Sequence, residues 1–80
     1  MTATATKTRF DSIRSAAFKC GAHWAARQDD SISEALRCNW RNTPTTISEI
    51  RRFRTALDFF DIQNFACTST NGDMVIKVRL

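Results

Sequence analysis

Residues 31–62 read SISEALRCNWRNTPTTISEIRRFRTALDFFDI, and the division of this stretch into elements decides the fold. Ser31 and Glu34 have the spacing of a capping box, in which hydroxyl and carboxylate satisfy each other's orphan backbone donors at a helix N-terminus. A short helix is expected to follow, to about Asn39, with Ile32, Ala35 and Leu36 inward and Trp40 closing its end. Asn42-Thr43-Pro44 is a turn, because proline disfavours helix at the residue before it and has no amide to donate. Beyond the turn, Thr46 as cap and Glu49 repeat the capping-box spacing. Ile47, Ile50, Phe53, Leu57 and Phe60 then recur at three- and four-residue steps, which predicts another helix. At about 100° per residue its far side carries Ser48, Arg51, Arg52 and Thr55. Arg54 falls on the flank and Phe59 at the outer C-terminal end.

Upstream, Phe10, Ile13, Ala17, Cys20 and Trp24 form one apolar stripe, which predicts a first helix from about Asp11 to about Gln28. Gly21 lies beside the stripe, where a missing side chain lets another element come close. Residues 1–9 contain nothing large to bury and read as a flexible tail or an edge strand. Downstream the period changes to two. Asn71-Gly72 is a strong hairpin signal, since both residues tolerate the positive φ of a type I′ turn. With those two as the turn, Cys67 faces Ile76, Phe65 faces Val78 and Ser69 faces Met74. The apolar residues then share one face, while Lys77 and Arg79 take the other. A two-stranded hairpin is barely stable alone, so its Phe65/Ile76/Val78 face is expected to pack on the helices.

Eighty residues, 42% hydrophobic and 25% charged with two glycines and one proline, describe one small globular domain. No apolar run approaches the ~20 residues of a membrane span, and MTATATKTRF lacks the apolar centre of a secretion signal. Cys20, Cys38 and Cys67 are odd in number and widely spaced, the pattern of free thiols in a reducing compartment, and the cytoplasm is the expected location. The net charge is +4, and residues 37–54 account for all of it, with Arg37, Arg41, Arg51, Arg52 and Arg54 against Glu49 alone. Such a cluster is the footprint of a basic patch.

Three helices followed by a hairpin, with residues 31–62 as the central helical pair, resembles a winged helix-turn-helix domain over about residues 10–80. The resemblance implies an α+β fold, a three-helix bundle followed by a C-terminal β-hairpin. It also implies that the third helix enters the major groove of duplex DNA, with base and phosphate contacts on Ser48, Arg51, Arg52 and Thr55. Arg41 and Arg54 extend the same basic surface.

Two functions of different class follow. The first is a small DNA-binding regulator, dimeric because one module of this charge binds weakly. The second is a small phage-type protein that binds and inhibits a host or defence complex, using Trp40, Phe59 and the arginine face. Cys20, His23, Cys38 and Cys67 supply a zinc-ligand count without the close pairs that structural zinc sites use, so no metal or other cofactor is expected. His23 has no nucleophile or carboxylate dyad beside it, and neither a phosphate loop nor a nucleophile elbow occurs. An enzyme is not expected.

Overall fold

In a computed structural model the chain is described over residues 2–28 and 35–80. Helix α1 spans Thr2–Lys19 and is followed by strands β1 (Trp24–Arg27) and β2 (Ala35–Trp40). Helix α2 (Thr46–Phe59) is followed by β3 (Asn64–Thr68) and β4 (Met74–Arg79). The strands form one antiparallel sheet in the order β1-β2-β4-β3. Among the described residues the fold is therefore α+β with two helices and a four-stranded sheet, not a three-helix bundle with a hairpin appended.

A helix followed by a β-hairpin occurs twice, and the last strands of the two units pair at the centre of the sheet. Both helices end in the same way. Gly21 takes φ 98° while Gly21 N–H donates to Phe18 O and Ala22 N–H to Ala17 O. Asp61 takes φ 57° while its N–H donates to Asp58 O and Ile62 N–H to Leu57 O. Each is a left-handed residue capping the last carbonyls and turning the chain back toward the sheet. Gly21 cannot be replaced cheaply, because φ 98° strains any residue with a Cβ; the Glu49 carboxylate on α2, 1.6 Å from where that Cβ would lie, is the end of a flexible side chain and can swing aside. The close approach expected of Gly21 is thus made at the end of a helix.

This early ending overturns the first expected helix. Phe10, Ile13, Ala17 and Cys20 do pack toward the core, but Trp24 belongs to β1, outside the helix. Residues 2–9, read as a tail or edge strand, are part of α1. The second expected helix is also corrected: residues 35–40 are strand β2, with Leu36, Cys38 and Trp40 buried and Ala35, Arg37 and Asn39 half-buried in strict alternation. Ser31, Ile32 and Glu34 lie outside the described residues. The α2 helix stands as expected, with Ile50, Phe53 and Leu57 buried, but Ile47 and Phe60 are exposed. Its N-terminus is built differently from a capping box. The buried Thr46 hydroxyl donates to Arg41 O and accepts from Thr43 N–H, while Thr45 Oγ1 donates to Glu49 Oε1 at 3.1 Å.

The terminal hairpin forms one residue out of the expected register. Cys67 pairs with Val75, Ala66 with Ile76 and Phe65 with Lys77. The turn is a longer loop over residues 69–73, in which Asn71 Oδ1 and Ser69 Oγ both accept from Asp73 N–H and Gly72 takes φ 91°. A slip of one residue sends every side chain of a strand to the other face. Phe65 and Cys67 therefore leave the helix side, and Asn64 and Ala66 take it.

Ile13 and Ala17 of α1, Ile50, Phe53 and Leu57 of α2, and Leu36, Cys38, Trp40, Ile76 and Val78 of the sheet make one core. The Trp40 and Phe53 rings meet at a 46° tilt with centroids 5.3 Å apart, and Trp40 Nε1–H donates to Cys20 O at 3.0 Å. Both helices thus lie on one side of the sheet. On the other side Val75, between Asn39 and Cys67, is fully buried outside this core, while Lys77 and Arg79 of the same strand are exposed.

Candidate functional site

The outer side of α2 follows from its inner one. With Ile50, Phe53 and Leu57 anchored, Ser48 and Thr55 point away from the sheet and Arg51 and Arg52 flank them, about 100° apart around the axis. All four are exposed. No side-chain hydrogen bond or carboxylate partner engages either arginine among the described residues. Arg51 overlooks a groove of about 360 Å³ between α2 and the β3–β4 hairpin, lined by the apolar Ile47, Ala66, Met74 and Ile76 and by Thr55 and Asp58. Arg52 leans the other way, toward Cys20 and Glu49. Burial pushes the Cys20 thiol above its ordinary value, with the Arg52 guanidinium pulling it down and Glu49 pushing it up. Ser48 Oγ donates to Thr45 O at 2.9 Å.

The remaining candidates separate. Arg41 is exposed in the loop before α2. Arg54 is half-buried and structural: its Nε–H donates to Asn64 Oδ1 at 2.7 Å, and Asn64 Nδ2–H donates to Asp58 Oδ1 at 2.9 Å. This chain of bonds ties α2 to β3 and explains why a polar Asn64 faces the helix. Trp40, taken in the alternative reading as a contact residue, is 1% exposed and belongs to the core. Phe59 is 80% exposed, with Phe60 edge-on to it at 5.1 Å between centroids.

The thiols and His23 do not converge. Cys38 is buried on the helix side of the sheet, where desolvation pushes its thiol up to about 12. Cys67 is exposed on the other face, and His23 Nε2 lies 3.0 Å from Asp73 Oδ2. Among the described residues no group of His, Cys, Asp and Glu could hold a metal ion, and no helix is long and apolar enough to cross a membrane.

One set of residues was not assembled from the sequence. On the helix-free face, Ala26, Arg37, Lys77 and Phe65 stand in one cross-strand row and Trp24, Asn39, Val75 and Cys67 in the next. Arg79 lies two residues beyond Lys77 on the same face. The signal for Lys77 and Arg79 was the period-two alternation of MVIKVR; for Trp24 and Arg37 it was hidden by the helical reading of their segments. No family model, curated protein or solved structure matches the chain.

Proposed function

We propose that the chain binds nucleic acid, and that the outer side of α2 contacts the phosphates of duplex DNA. The observation that supports this most directly is the state of Arg51 and Arg52, both exposed and neither engaged by a carboxylate among the described residues, on either side of the Ser48 and Thr55 hydroxyls. Guanidinium forks of this kind pair bidentately with phosphate oxygens, and their binding releases condensed counterions. The helix rests on a sheet, so the proposal is for backbone contacts, which position a duplex without reading its sequence.

The test is fluorescence anisotropy of a mixed-sequence duplex against ionic strength. Affinity is expected to fall steeply with salt, and the double variant Arg51→Ala, Arg52→Ala to flatten the logarithmic slope by about 2, near 0.9 for each phosphate no longer neutralised. Absence of duplex binding at low salt overturns the proposal. A second reading, a protein that docks on and inhibits a host complex, is favoured by the exposed Phe59 and Phe60 pair. An apolar pair at a helix end has the chemistry of a partner-binding anchor. Trp40 has no part in it.

A further inference from the structure

The helix-free face of the sheet has a composition of its own. The strands WAAR, ALRCNW, NFACT and MVIKVR contain no acidic residue. Arg37 on β2 and Lys77 on β4 are directly paired, and Arg79 stands on the same face, paired with Ala35. Like charges directly opposite across two strands are destabilising. Among the described residues no carboxylate relieves them: Asp73, the acid just before β4, is taken by His23. Arg37 Nε–H donates to Asn39 Oδ1 at 3.2 Å, which fixes the guanidinium plane on this face. The two central strands thus carry a cationic strip with no carboxylate partner among the described residues.

The edges supply a different chemistry. Trp24 on β1 is 44% exposed and Phe65 on β3 is 54% exposed. Neither joins the core cluster. Strand spacing and rise put their Cα atoms about 16 Å apart on a diagonal across the face, with the cations between them. Phosphates call for the cations and unstacked bases for the aromatic rings, and a polymer carrying both along its length matches the order aromatic, basic, aromatic. A duplex keeps its bases stacked inside and has no use for the rings; an acidic peptide uses the cations and leaves the rings bare.

We propose that this face is a binding platform for single-stranded nucleic acid. The backbone crosses Arg37, Lys77 and Arg79, and bases stack on Trp24 and Phe65. The platform goes beyond the duplex contact ascribed to α2 and lies on the opposite side of the sheet, so either can fail without the other.

The experiment is anisotropy of labelled oligo-dT and oligo-U twelve-mers at low salt, with a mixed duplex and a poly-glutamate peptide as competitors. The folded state of each variant is checked by circular dichroism. The intact chain is expected to bind at least one of the two single strands, and the pair shows which sugar is tolerated. Trp24→Ala and Phe65→Ala are each expected to weaken binding by about 5- to 150-fold, the range of base–aromatic stacking. Lys77→Gln lowers the salt slope by about 0.7. The double variant Arg51→Ala, Arg52→Ala is expected to bind single strands as the parent does. The proposal is overturned if neither oligonucleotide binds, if both aromatic variants bind normally while folded, if poly-glutamate displaces the single strand with equal affinity, or if only the α2 arginines matter.

Discussion

On one side of the sheet Leu36, Cys38, Trp40, Ile76 and Val78 meet the apolar stripes of two helices; on the other, Arg37 and Lys77 stand between Trp24 and Phe65, with Arg79 one row beyond. Strands β2 and β4 supply both sides, with alternate residues assigned to each. Stability and ligand contact are therefore interleaved in sequence while separated in space. Neighbouring substitutions should have unlike consequences.

The two tryptophans give the largest contrast. Trp40→Ala empties a core position and removes the donor to Cys20 O, with an expected loss of about 3–5 kcal/mol in urea denaturation. Trp24→Ala is expected to cost less than about 1.5 kcal/mol, since the ring is already partly in water. Equal losses would erase the distinction between the sides.

Alkaline titration sharpens the same contrast through the thiols. The Cys38 pKa is raised from the ordinary 9.0 to about 12 by burial, so the folded state holds its proton more tightly than the unfolded one. This group's contribution is fully present below pH 9, falls as pH rises above it and is gone past about 12, a loss of at most about 4 kcal/mol. The difference in stability between the parent and Cys38→Ala, followed from pH 8 to 11, is expected to shrink with rising pH. Cys67, exposed on the opposite face, should react with a thiol reagent in the native protein while Cys38 does not.

A single reversal of charge should move the two properties in opposite directions. Lys77→Glu places a carboxylate opposite Arg37 and is expected to stabilise the fold by roughly 0.2–1 kcal/mol while greatly weakening single-strand binding. Loss of stability would mean that the cationic strip is relieved in some other way. The smallest effect on stability belongs to Arg51→Ala with Arg52→Ala, expected to be within about 0.5 kcal/mol by thermal denaturation for each exposed site, with duplex affinity alone reduced.

How far the sequence revealed this arrangement depended on how many residues each pattern had in which to show itself. Helix α2 was legible because fourteen residues repeat the apolar step three times between a turn and an acid-rich end. Strand β1 has four residues, two of them alanine, too few for alternation to be seen. In β2, Ala35, Leu36 and Trp40 satisfy a helical spacing, and alanine, leucine and arginine favour helix. Only Leu36, Cys38 and Trp40, read in steps of two, report the strand, and pairing on both sides decided for it. The hairpin was found by Asn71-Gly72, but its register was set elsewhere, by Asn64 reaching Arg54 and Asp58 on α2. That long-range link turned Phe65 outward, against its reading as core; Trp24, also read as part of an apolar stripe, was missed because its segment was read as helix. The exposed arginines of α2 were legible at once because a strong helix fixes its own outer side.

The most direct measurement of the platform is the indole region of a ¹H–¹⁵N spectrum during titration with oligo-dT or oligo-U, since the two tryptophans report the two sides of the sheet. The Trp24 Nε1–H signal is expected to shift with the amides of β2 and β4 around Arg37 and Lys77, while the Trp40 signal, bonded to Cys20 O, stays in place. Shifts confined to residues 48–55 of α2, or a Trp24 signal unmoved at saturation, would contradict the assignment of this face.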